Sequence, residues 1–297
     1  APASVQAPAA ASVPSVPAQP RGRMPPPEMV RGRLPSLPSF EQEEEEEVDA
    51  TRIGDGAKSE VAVDKIIFDP AAAIDEPTSP GQFFVMSAMA QTDTGLKRKR
   101  NEDSLLGMRE LGVYAVADGM GGARGGAVAS QIAVQTIEQI FRTSTFPGPP
   151  HNSLPMRGSE LARAVNAANE AIRARAAEDT TLKGMGTTIC AARFARSKQR
   201  VYIAHVGDSR CYRLRAGQLT LMTRDHTLGE AGVVGPLASN IRRAVGVAPT
   251  VKVDLFVDIP LPEDRYLLCS DGLSKMVPED EIKRVLLAST DVETATS

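Results

Sequence analysis

The chain has 297 residues, of which 42 % are hydrophobic and 4 % aromatic, and carries a formal net charge of −3. That is enough apolar sequence for a sizeable core, yet no stretch approaches the roughly 18 apolar residues of a membrane span, and no basic stretch followed by an apolar one marks a secretory signal, so a cytoplasmic location is expected. Cys190, Cys211 and Cys269 are odd in number, far apart and set in apolar runs, which excludes a disulfide framework or a thiolate zinc site and predicts reduced core residues.

Residues 1–40 are rich in Ala, Pro and Ser and cannot bury enough apolar surface to offset the entropy of ordering them. RGRMP (21–25) and RGRLP (31–35) make a weak repeat, and EQEEEEE (41–47) is a self-repelling acidic run. That run reads as a solvated linker, with a docking tail for a basic partner as the other reading. Residues 1–80 hold 14 acidic and 7 basic residues and 13 of the 22 prolines. The expectation is a disordered Pro-rich and acidic tail over 1–80 and a folded domain over 81–297.

Within that domain, FFVMSAMAQTD (83–93) and GVYAVAD (112–118) read as the first two strands. Apolar residues at 128, 132, 133, 137, 140 and 141 follow a helical period, as do those at 161, 164, 165, 168 and 172. Strand-like runs follow at 187–194, 200–206, 211–216, 218–223, 251–257 and 265–270, several joined by short turns that suggest antiparallel hairpins. Pro278 followed by Glu279, Asp280 and Glu281 opens a last helix. Grouped helices among runs of strands predict an α+β fold with sheets packed together and helices outside.

Three of these strands end on an aspartate: VYAVADGMGG at Asp118, VYIAHVGDSR at Asp208 and RYLLCSDGL at Asp271. One such ending is an ordinary turn. Three suggest strand ends converging on one acidic cavity, where the carboxylates repel one another and a cation removes the cost. An all-oxygen donor set implies a hard cation, Mg²⁺ or Mn²⁺. Two such ions sharing a water would make it a nucleophile for a phosphoester, and Gly119 would let a metal or its water approach the backbone carbonyl. TGLKRKRNEDS (94–104) adds the carboxylates of Glu102 and Asp103 beside a cationic run from Lys97 to Arg100. That run reads as a solvated loop, as a nucleic-acid or nuclear-import patch, or as a guanidinium clamp on phosphate.

From Gly81 onward the chain resembles the metal-dependent PPM (type 2C) protein phosphatases in their bacterial form. TGLKRKRNEDS, VADGMGG, GMGTT (184–188), HVGDSRCYRL (205–214), LMTRDHT (221–227) and LLCSDGLS (267–274) appear in the family's order. The resemblance implies an α-β-β-α sandwich of two antiparallel sheets flanked by helices. It also implies hydrolysis of phosphoserine and phosphothreonine in proteins by a water bridging two Mg²⁺ or Mn²⁺ ions. Arg98 falls on the phosphate-binding arginine, Asp118 on the bridging ligand, Gly119 on the carbonyl ligand and Asp271 on a ligand of one metal. Asp208 matches the ligand of a third, weaker metal, Asp103 a residue holding metal-bound water or ligating directly, and Glu102 an outer position. The implied partners are phosphorylated proteins of a Ser/Thr kinase signalling system, with no nucleic acid, no membrane span and a monomeric enzyme.

Three departures accompany the resemblance. Met120 stands where animal relatives carry a histidine, so the leaving group must be protonated from elsewhere. The segment from His226 to Arg243 is short for the flap beside the site. The family's last ligand lies in an Asp-Asn pair opening a final strand, whereas Asp291 is followed by Val292. The domain is therefore expected to stop short of that ligand and strand, and a pseudophosphatase that binds phosphoproteins without turnover is the alternative function. Among other residues, His205, Cys269 and Met185 read as core, Asp225 as structural, and His226 equally as a turn residue or as one supporting the site. Asp254 and Asp258 cannot be assigned to a face.

Overall fold

The computed structural model describes residues 63–68, 84–96, 98 and 100–296. They belong to the larger of two compact units, Asp55–Ser297; the other, Ala1–Gly54, lies outside the described residues, as does most of the expected N-terminal tail. The strands are β1 (Val63–Phe68), β2 (Asp103–Met108), β3 (Val113–Met120), β4 (Gly186–Thr187), β5 (Ile189–Ala195), β6 (Arg200–Val206), β7 (Arg210–Arg215), β8 (Gln218–Leu221), β9 (Val253–Asp258) and β10 (Arg265–Cys269). The α-helices are α1 (Gly122–Thr143), α2 (Met156–Glu178), α3 (Asp271–Ser274), α4 (Glu279–Ala288) and α5 (Val292–Thr296).

The large sheet runs in the order β1-β9-β6-β5-β3-β2, with β4 added to the end of β3; the small sheet runs β10-β7-β8. Every pairing is antiparallel except the parallel edge pair β1–β9. Period-two alternation assigns the faces. Val113, Ala115 and Ala117 of β3, Ile189 and Ala191 of β5, and Tyr202, Ala204 and Val206 of β6 join the core under α1 and α2. There Ile137, Leu161, Ile172 and Tyr202 are fully buried, and aliphatic side chains of this size each contribute about 1.5–3 kcal/mol by leaving water. The opposite faces of β5, β6 and β9 meet the small sheet through Cys190, Ala192, Val201, Ile203, Cys211 and Phe256. Beyond it, Leu214 packs on Ile282 and Leu286 of α4. The layers are helix, sheet, sheet and helix, the expected α+β sandwich. The three cysteines are buried free thiols, as expected.

Two expectations need correction. Residues 84–93 form no strand: exposure alternates only over 84–89, with Val85 at 97 %, residues 89–93 are all exposed, and no strand ladder takes up their backbone. Phe84 instead sets its ring edge-on against Phe194, and Ala88 accepts a hydrogen bond from Arg109. Order also does not begin near Gly81, because β1 lies inside the segment assigned to the tail. Its VDKIIF pattern carries two charges and its partner β9 is remote in sequence, so no local signal marks it.

Candidate active site

The strand register brings the first carboxylates together. Asp103 lies directly opposite Asp118 across the β2–β3 pair. Both fall on the face turned toward the small sheet, since Leu106 and Met108, like Ala115 and Ala117, point the other way into the helical core. Like charges placed directly opposite on a sheet destabilise it. Asp271 completes the group at the start of α3, immediately after β10 of the small sheet.

The electrostatic consequence is large. Burial, then the charge of Asp103, then that of Asp271 push the Asp118 carboxyl up from 3.8 to about 8. Asp271 moves the other way. Burial works against its charge, but bonds from Lys275 and from Asp118 hold it below the ordinary range. The two therefore share a proton near neutrality, carried on Asp118. Ser270 donates to Asp103 Oδ2 at 2.7 Å.

The backbone around Asp118 is tightly held. Its carbonyl accepts from Thr188 N (2.8 Å) and from Thr187 Oγ1 (2.8 Å), and its N–H donates to Thr188 Oγ1 at 3.0 Å. The two threonines of GMGTT thus clamp the strand end that carries the carboxylate. Packing gives a further reason for glycine at position 119. A Cβ there would lie 2.0 Å from the carbonyl oxygen of Gly126 and 2.8 Å from that of Glu102. The glycine lets β3 press against the first turns of α1, and Gly126 is its counterpart, with a built Cβ only 2.7 Å from Gly119 C.

Arg98 stands at the rim of the group. Its side chain is 57 % exposed and bonds to Glu102 Oε2 at 2.8 Å, and its charge helps hold Asp271 ionised. Glu102 thus steers the guanidinium. Its own carbonyl accepts from Gly119 N and Ser130 Oγ.

Asp208 sits apart from this pair. It follows Gly207, whose φ is +109°, and is only 3 % exposed. Its contact with the cluster runs through Lys275, whose Nζ donates to Asp208 Oδ2 at 3.0 Å and to Asp271 Oδ2 at 2.7 Å. Burial raises the Asp208 carboxyl above its ordinary value despite the ammonium. For Lys275, burial opposes the charge and the two carboxylates overcome it, so its value is raised.

Sequence reasoning missed Lys275 and Ser270, and of the support behind Asp208 it named only His226, as one of two readings. His226 accepts from Gly207 N at Nδ1 (3.0 Å) and its N–H donates to Gly207 O (2.7 Å). His226 Nε2 lies 3.1 Å from Asp254 Oδ2, and Arg243 donates to Asp254 Oδ1 at 2.8 Å. His226 therefore supports the site loop. His205 is fully buried against the His226 ring, and burial followed by the His226 charge pushes it down to about 3, so it stays neutral. Asp225 is held bidentately by Arg210 and is structural. Asp254 and Asp258 both point between the sheets; Asp258, fully buried, binds Arg213 and Tyr266. Asp291 caps α5 through Thr294 N and takes no part in the cluster.

Among the described residues no three His, Cys, Asp or Glu side chains form a ready cage, and Ser270 and Lys275 bond Asp103 and Asp271. The donor set nevertheless suits hard divalent cations. It is all oxygen, it comes from β2, β3 and the start of α3, and burial with the charges of Asp103 and Asp271 raises the Asp118 carboxyl to about 8.

A sandwich of two sheets with a carboxylate cluster at one end of the layer between them defines a metal-dependent hydrolase site. Comparison with known proteins identifies the class. Residues 97–295 match the family model for protein phosphatase 2C. The serine/threonine phosphatase stp of Listeria welshimeri is 37 % identical over 217 residues, covering 68 % of this chain and 83 % of that protein. The Mycobacterium tuberculosis phosphatase PstP is 37 % identical over 225 residues, covering 71 % of this chain but 41 % of that longer protein. The crystal structure of the PstP catalytic domain in complex with two manganese ions superposes with a TM-score of 0.59 at 36 % identity, covering 69 % of this chain and 86 % of that one. The chain belongs to the protein phosphatase 2C family, in its bacterial serine/threonine form.

Proposed function

We propose that this protein removes phosphate from phosphoserine and phosphothreonine side chains of proteins, with Asp103, Asp118, Asp271 and the Gly119 carbonyl holding two Mg²⁺ or Mn²⁺ ions. The observation that carries the reading is the cross-strand pair Asp103–Asp118 facing Asp271, with burial and the charges of Asp103 and Asp271 raising the Asp118 carboxyl to about 8. When bound, the ions supply charge neutralisation and an activated water. The chain's own residues do the rest. Asp118 would give up its shared proton on holding a metal. Thr187 and Thr188 fix its backbone, Ser270 orients Asp103, and Glu102 steers Arg98 toward solvent, where its fork can take two phosphate oxygens.

The partners are phosphorylated proteins of a Ser/Thr kinase system, met by a monomeric cytoplasmic enzyme. Among the described residues no helix is long and apolar enough to cross a membrane. The test is hydrolysis of a phosphothreonine peptide with Mn²⁺, with Mg²⁺ and with chelator. Turnover should require the metal and should fall by several orders of magnitude in Asp118→Asn. Turnover in chelator, or a loss below about tenfold (1.4 kcal/mol of barrier), would refute the assignment. Tight binding of the peptide without turnover would favour a binding module instead.

A further inference from the structure

Lys275 has no counterpart in the machinery described so far, yet its ammonium lies in the only described contact between Asp208 and the metal-binding carboxylates. It follows Asp271 by one helical turn, and its N–H donates to the Asp271 carbonyl at 2.9 Å, which fixes the start of its side chain. The side chain is half exposed. The ammonium then bonds Asp208 Oδ2 and Asp271 Oδ2 at 3.0 and 2.7 Å. Asp208 is 67 residues away in sequence and almost fully buried, so tertiary structure alone creates this bridge. A buried carboxylate without a partner is costly, and here the partner is covalently attached to the chain.

We infer that Lys275 is a built-in cation that occupies the gap between Asp208 and Asp271, so that Asp208 holds no metal in this protein and a divalent ion enters there only when the ammonium is removed. This rests on the two-metal reading above and revises the metal role that the family resemblance gave Asp208. An ion taking those two oxygens would need them at about 2.0–2.2 Å and would have to expel the ammonium that already bonds both. The charge also leaves Asp271 with one oxygen committed to Lys275, and it ties the α3 start to the β6–β7 loop.

The experiment counts manganese on the full chain by calorimetric titration and by electron paramagnetic resonance of free Mn²⁺, for wild type, Asp208→Asn, Lys275→Met and the double variant, with circular dichroism to confirm folding. Wild type and Asp208→Asn should bind the same number of ions. Lys275→Met should bind one more, at least tenfold more tightly than any extra ion on wild type, and the double variant should lose it again. Thermal unfolding gives a second readout: Lys275→Met should melt below wild type in chelator and recover with Mn²⁺. The inference is overturned if Lys275→Met and wild type hold equal numbers of ions, or if Asp208→Asn lowers the wild-type count. Absence of Mn²⁺ binding by every form would overturn the two-metal reading itself and this inference with it, a result distinguishable from the others.

Discussion

In the metal-free protein, Asp118 should be a residue whose removal stabilises the fold. It titrates near 8 in the folded chain against an ordinary 3.8, chiefly through burial and then through Asp103 and Asp271. Between those values the folded state holds a proton that the unfolded chain has released. Stability therefore falls as pH rises, by up to about 1.4 kcal/mol per pH unit, and the loss is complete only above pH 8. By pH 7 the ceiling is about 4 kcal/mol. One side of the group is open to water, with the Asp271 side chain 28 % exposed, and screening there reduces the expected effect to about 2 kcal/mol. Asp118→Asn should thus raise the melting temperature by about 4–8 °C at pH 7 in chelator. The gain should vanish below about pH 4, and Mn²⁺ should reverse the order because only the wild type keeps its bridging carboxylate. Scanning calorimetry from pH 4 to 8.5, with chelator and with Mn²⁺, measures all of this. A variant less stable than wild type in chelator at pH 7, or a difference that does not grow with pH, would refute the reasoning.

Gly126→Ala should disrupt the site at a distance: its Cβ would lie 2.7 Å from Gly119 C and O. The β3 end should shift and Mn²⁺ affinity should fall at least tenfold by titration; an unchanged affinity would show that this packing is not needed. Arg98→Ala should raise the KM for a small aryl phosphate by roughly 30-fold, the equivalent of about 2 kcal/mol in charge-assisted bonds, with the Mn²⁺ requirement unchanged and Arg100→Ala nearly silent. If Arg100 proved the damaging position, the register of this loop would be wrong. Deleting residues 1–62 should leave the melting temperature and aryl phosphate turnover unchanged, whereas deleting 1–68 should cost roughly 2 kcal/mol or more by stripping β1 from the edge of β9. Equal stability of the two forms would remove β1 from the domain.

The sequence by itself determined the elements whose signals are local. The helical periods within 126–141 and 161–172 became α1 and α2, and the apolar runs at 200–206 and 211–216 became β6 and β7; Asp271 follows β10 at the start of α3, but β3 does not stop at Asp118 and continues to Met120, where it pairs with β4. Such patterns are readable because periodicity and turn chemistry act between neighbours in the chain. Tertiary structure alone decided which groups meet. Only the β2–β3 register sets Asp103 opposite Asp118, and a slip of one residue would turn one of them into the helical core. The sequence marked Gly119 only as an opening for a metal, and the approach of Gly126 adds a packing requirement. The strand at 63–68 exists because β9, from the far end of the domain, offers an edge, while residues 84–89 alternate in exposure without a ladder to join. Lys275 lies one turn from Asp271 in sequence, but its bond to Asp208 depends on how the end of β6 is held by His226 against the start of α3. That closure joins segments too distant in the chain for any local pattern to record it.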